Sequence, residues 1–172
     1  MRRLVMLFFI VFLVSVPVLA ADGEFPKAEV FGGFSLLSVG EDALGERMTF
    51  KGFQASIAGN FHKNVGIVAD FGGQYKSEQG MTAHMYEFLF GPRLTHRMER
   101  ANVFVHGLFG GLSAGGEGES DSGFAMGFGG GIDINVNERF AVRIVQFDWV
   151  PVRINEQWFK DNVRFGFGII IK

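Results

Sequence analysis

Between Lys27 and Ile171, apolar residues recur at every second position in eight segments, each bounded by clusters of Gly, Asn, Asp, Glu and Ser. A period of two sends successive side chains to opposite faces of a pleated strand, and it is incompatible with the 3.6-residue repeat of an amphipathic helix. The segments fall at about Lys27–Leu37, Phe50–Asn60, Val65–Tyr75, His84–Leu94, Asn102–Ser113, Gly123–Ile134, Phe140–Pro151 and Asn162–Ile171. Links after the second, fourth and sixth are short, whereas those after the first, third and fifth are longer or richer in Gly and acid. Strands of roughly ten residues cross a bilayer at a tilt, and this rhythm of links is that of a barrel with tight turns at one end. The pattern therefore predicts an all-β chain, an eight-stranded antiparallel up-and-down transmembrane β-barrel.

Alternation alone does not say which face is outside. A soluble barrel of the lipocalin type alternates too, with its apolar face inward. The polar face decides the reading. On a soluble barrel it would be crowded with long mixed charges. Here it is mostly Gly, Ser, Asn and Gln with isolated charges: Glu29, Asp70, Glu87, Arg93, Asp133, Arg143, Asp148 and Arg164, joined by His106. Such a set fits a narrow lumen as a polar network that fixes strand register. Asp148 has the wrong parity to share a face with Arg143, so a β-bulge is expected near Val145 or Gln146. Pro92 lacks a donor and should interrupt its ladder. The 25 Gly and 21 Phe exceed ordinary usage. Gly127, Gly129 and Gly131, with Gly166 and Gly168, fall on the inward face, where they would make room for Arg and aromatic side chains.

The N-terminus carries a second signal. Arg2 and Arg3 precede an apolar run from Leu4 to Val16, Pro17 breaks it, and Val18-Leu19-Ala20 ends it in small residues. This is the grammar of a secretory signal peptide over residues 1–20, cut between Ala20 and Ala21, with one barrel domain over residues 21–172. No later apolar stretch reaches the roughly 18 residues of a transmembrane helix. A formal net charge of -2 gives no reason to expect a nucleic acid partner, and the absence of Cys excludes disulfides.

Motifs for chemistry are weak. Gly111-Leu112-Ser113-Ala114-Gly115 spells a nucleophile elbow, but that device needs a strained turn entering a helix, and a strand running into a loop is the better reading. The acidic alternation in Gly116–Asp121 lacks the frame of a calcium loop. His62 and His96 fall in turns and His84 at a strand end, which leaves His106 as the one lumen histidine, without ligand-type spacing around it. The triple Gly129–Gly131 lacks the Lys-Ser/Thr of a phosphate loop. No catalytic residue, cofactor or metal ligand is predicted, so an enzyme is not expected.

The start KAEVFGGFSLL, the segment GFQASIAGNFHKNVGIVADFGGQY, the strand YEFLFGPRL and the end RFAVRIVQFDWV…VRFGFGIII resemble the outer-membrane β-barrel domain family, which includes small OmpA-like and OmpX-like barrels. The resemblance covers nearly all of the chain after residue 20. It departs at the end, where such barrels usually carry an aromatic residue and this sequence has Ile171-Lys172. The resemblance implies a bacterial outer-membrane location, contact with outer-membrane lipid, and handling by the barrel-assembly machinery. A structural, surface-interaction or limited porin-like role follows, carried by loops at about Ser38–Thr49, Lys76–Thr82, Glu117–Ser122 and Arg153–Gln157. The alternatives are a soluble periplasmic barrel binding a small apolar ligand, and an outer-membrane lipid-modifying enzyme.

Overall fold

The computed structural model describes residues 25–41, 45–78, 81–116 and 119–172. The segment read as a signal peptide, with Ala20 and Ala21, lies outside the described residues. The strands are β1 (Ala28–Val39), β2 (Met48–His62), β3 (Val65–Glu78), β4 (Met81–Arg97), β5 (Ala101–Gly116), β6 (Glu119–Asn135), β7 (Phe140–Trp149), β8 (Val152–Ile154), β9 (Gln157–Phe159) and β10 (Val163–Ile171). Hydrogen bonding runs in the order β5-β4-β3-β2-β1-β10-β7-β6, and β5 pairs with β6 to close the ring. All these pairings are antiparallel. Eight long strands thus form a barrel with no free edge, the only sheet whose backbone groups can all be paired inside hydrocarbon.

The burial pattern follows the alternation. On β2, Gln54, Ser56, Ala58 and Asn60 are buried, whereas Phe53, Ala55, Ile57 and Phe61 are exposed. Phe34, Phe88, Phe90, Val105, Phe147, Phe167 and Ile169 continue the exposed apolar row around the wall. Near the loop end, Tyr75 and Tyr86 join hydroxyl to hydroxyl at 2.7 Å, and the indole of Trp149 donates to the Lys160 carbonyl at 2.6 Å. Aromatic rings with a polar tip suit the boundary between hydrocarbon and water.

Two irregularities sit where local chemistry demands them. On β7, Val145 opposes Ile132 and Arg143 opposes Asp133, so Ile144 has no partner on β6. The register against β10 shifts at the same place, between Gly166 and Gly168. The bulge is therefore at Ile144–Val145, which takes in Val145, one of the two expected positions, and both side chains are exposed. It returns Arg143, Gln146 and Asp148 to the interior. On β4, pairing with β5 lapses at Gly91 and Pro92 and resumes in the same register at Arg93, as a residue without an N–H requires.

The strands outrun the hydrophobic pattern at the loop end. β3 and β4 pair as far as Glu78 with Met81, and β5 and β6 as far as Gly116 with Glu119. Much of what was expected as loop over Lys76–Thr82 and Glu117–Ser122 is ladder, because backbone pairing needs no apolar face once the wall has left the lipid. Arg153–Gln157 is also structured: β8 and β9 form a hairpin on the edge of β6. Its turn residues Asn155 and Glu156 have φ of 49° and 67°, the left-handed pair that a type I′ turn requires. The Ser113 segment is extended β5 strand, with Ser113 opposite Ser122, and has no elbow.

Three inward glycines of β6 each face a bulky neighbour. A Cβ on Gly127 would lie 3.2 Å from Leu89, one on Gly129 would overlap Asp148, and one on Gly131 would overlap the Val145 carbonyl oxygen and lie 2.8 Å from the Phe104 ring. Gly131→Ala is therefore expected to lower stability by about 1–3 kcal/mol through overpacking. Urea titration of the refolded barrel checks this, with the exposed and unobstructed Gly32→Ala as a near-neutral control.

Candidate functional site

Among the described residues, polar and charged side chains converge in the barrel interior, where Arg164, Asp148, Glu87 and Gln74 are buried. Its central layer is built on Arg164 of β10, a side chain with no solvent exposure. The guanidinium reaches Asp70 of β3 at 2.8 Å, Glu87 of β4, and Asp148 of β7 at 2.7 and 3.0 Å. Each carboxylate is held by a glutamine amide: Gln54 donates to Asp70 at 2.6 Å, Gln74 to Glu87 at 3.2 Å and Gln146 to Asp148 at 2.7 Å. His106 of β5 completes the layer through its Nε2, 2.8 Å from Asp148. One network thus ties β2, β3, β4, β5, β7 and β10 across the lumen.

A second layer lies nearer the turns. Glu29 of β1 takes Arg93 on one oxygen and Arg97 on the other, the latter at 2.6 Å. Arg143 forks onto Asp133 at 2.8 and 3.2 Å and donates to Gln146 at 2.7 Å, which links the two layers. Its guanidinium lies 4.3 Å from the Phe31 ring centroid and 4.2 Å from that of Phe104. A planar, weakly hydrated cation between two aromatic faces is well suited to a site without water. Apolar side chains fill the space beside these layers: Ala58, Val68, Leu89, Leu108, Leu112, Ala125, Val150 and Val152 form one cluster, Leu37, Val39 and Phe50 form another towards the loops, and Met85 packs against both.

All nine residues expected in the lumen are therefore inside, in two groups: Asp70, Glu87, His106, Asp148 and Arg164 centrally, and Glu29, Arg93, Asp133 and Arg143 below. The sequence reading missed Arg97, assigned to a turn, although its parity matches Arg93 and Thr95. It also left out Gln54, Gln74 and Gln146 as carboxylate holders, because their partners come from strands whose relative height the sequence does not state. His106 and Asp148 have the spacing of an acid–base dyad, but their side chains are only 3% and 0% exposed, so no substrate reaches them. Among the described residues, no group of three or more His, Asp or Glu is arranged to hold a metal.

No protein-family profile matches the chain, and no curated relative does. Solved structures do. Neisserial surface protein A superposes with a TM-score of 0.71 at 9% identity, over 85% of this chain and 97% of that one. The fold is that of the small outer-membrane barrels. The attachment invasion locus protein Ail of Yersinia pestis gives 0.62 at 15% identity, over 84% and 96% of the two chains. The N-terminal barrel of Pseudomonas aeruginosa OprF gives 0.53 at 10% identity, over 84% and 96%. Ail has also been solved with the heparin analogue sucrose octasulfate and in phospholipid bilayer nanodiscs.

The central layer sets three carboxylates against one guanidinium, which fixes the sign of two substitutions. Arg164→Met leaves buried anions uncompensated and is expected to cost about 3–5 kcal/mol. Glu87→Gln removes one of the surplus anions, one of whose oxygens has no hydrogen-bond partner, and is expected to cost under about 1 kcal/mol. Urea unfolding of both variants in the same lipid checks the contrast.

Proposed function

We propose that this chain is an exported bacterial outer-membrane barrel with a structural or surface-interaction role. The observation that carries the reading is the pairing of an apolar outer wall with a sealed polar interior. Phe34 is 67% exposed and Phe88 58%, whereas Arg164 and Asp148 are fully buried. In water that wall would be an aggregation surface far beyond the few hundred Å² that a soluble protein leaves exposed. The soluble alternative also requires an apolar pocket for its ligand, and the middle of this lumen is a salt-bridge network.

Export would use residues 1–20, with cleavage between Ala20 and Ala21, and insertion would rely on the barrel-assembly machinery. The turn end would face the periplasm and the loop end the outside. Solute passage has little support, because ion pairs and apolar clusters fill the bore. Function would then rest on the loop end, which is braced. The Arg47–Asp161 ion pair ties the β1–β2 loop to the residues before β10. Asn162 accepts from the Gly40 N–H at 3.1 Å and donates to the Val150 carbonyl at 3.2 Å. A braced platform suits binding a partner better than gating. An enzyme acting on lipid would need a reactive group open to the wall, and the His106–Asp148 pair is not.

Fractionation of the host is expected to recover the protein in the outer membrane, with an N-terminus at Ala21 and a band that shifts on boiling. A soluble periplasmic protein without that shift overturns the reading. Vesicles carrying the refolded barrel are expected to swell in small sugars no faster than empty ones.

A further inference from the structure

The turn end holds a feature that neither the lumen nor the loops use. At each short link an exposed apolar side chain stands near a base: Phe61, at the end of β2, with Lys63, Met98 with Arg100, and Val136 with Arg139. Phe61, Met98 and Val136 are 66%, 45% and 64% exposed. Met98 and Val136 extend by parity the outward rows of β4 and β6, and Phe61 is exposed at the register shift that ends β2, so the apolar wall continues to the turns. Lys27, before β1, adds a fourth exposed base. Glu99 and Glu138 are the acidic residues in these links.

The main chain that carries the four bases is pinned through its carbonyls. Lys27 O accepts from Asn60 N at 2.8 Å, Lys63 O from Arg97 Nε at 2.9 Å, Arg100 O from Asn135 N at 2.9 Å, and Arg139 O from Lys172 N at 2.9 Å. Asn135 also donates to the Met98 and Glu99 carbonyls at 3.2 and 3.1 Å. Neighbouring links are thus stitched into one rim, so the backbone positions from which the bases project are set by folding.

We propose that this rim binds the anionic headgroups of glycerophospholipids in the leaflet that meets the turn end. The inference rests on the barrel being lipid-embedded, as proposed above. The ligand follows from the pairing of chemistries. Bases alone would suit any soluble phosphate. Bases level with lipid-facing Phe, Met and Val side chains suit a phosphate carried on an acyl chain, because the chain meets the wall while the headgroup meets the cation. Each basic side chain near such a surface adds an attraction that fades within a Debye length and weakens in salt.

The test reconstitutes the barrel in phosphatidylcholine vesicles with trace spin-labelled lipid and reads the motionally restricted fraction by electron paramagnetic resonance. Labelled phosphatidylglycerol is expected to associate at least about twofold more strongly than labelled phosphatidylcholine in ~0.01 M salt, falling towards parity at ~1 M. K63Q/R100Q/R139Q is expected to lose the preference while its band still shifts on boiling. A restricted fraction with equal association of the two lipids, or a preference insensitive to salt, overturns the rim. If the variant does not refold, the salt titration of the unaltered protein decides alone. Absence of any restricted fraction would instead overturn the membrane reading itself.

Discussion

A guanidinium without access to water, held among three carboxylates from other strands, is the constraint to which the rest of the interior answers. Burying one charge costs several kcal/mol unless partners meet it with good geometry. Arg164 meets that demand by drawing in Asp70, Glu87 and Asp148, and each of these then needs a further donor. The glutamines supply it. Space for the glutamines comes from glycine: a Cβ on Gly72 would lie 2.7 Å from the Gln74 amide nitrogen, and one on Gly166 would lie 2.6 Å from Gln54 Oε1. Glycine thus recurs on the inner faces of β3 and β10 although it weakens strands in general.

Much of this was legible before any coordinates. Strand number, the facing of each residue and the polar lumen follow from parity, which a closed wall enforces without exception except at a bulge. The bulge follows from the parity conflict between Arg143 and Asp148, and it falls at Ile144–Val145, where two successive apolar side chains both suit the wall. Two things were hidden. Strand ends were hidden beyond the lipid, where Lys76, Ser77 and Glu119 pair without an apolar face to mark them. Pairing across the lumen was hidden too, since the partners of Arg164 depend on the stagger of strands on opposite sides of the ring.

The same logic accounts for a shared fold at 9–15% identity. A wall residue must be apolar and an inner residue must find a partner, yet neither demand names a side chain. The apolar clusters around Leu89 and Phe50 and the guanidinium layers around Arg164 and Arg143 are two solutions to filling one bore, used together in the same molecule.

The bulge on β7 divides that strand into two reading frames. Up to Ile144 the even-numbered residues belong to the wall, and from Val145 onward the odd-numbered ones do. Losing a single residue at this point would merge the frames and exchange wall for lumen along one half of the strand, which no local repacking could absorb. Aligning distant barrels by a strict two-residue beat would therefore misassign either Arg143 or Asp148, and length changes should be tolerated in the loops while Ile144–Val145 keeps its extra residue.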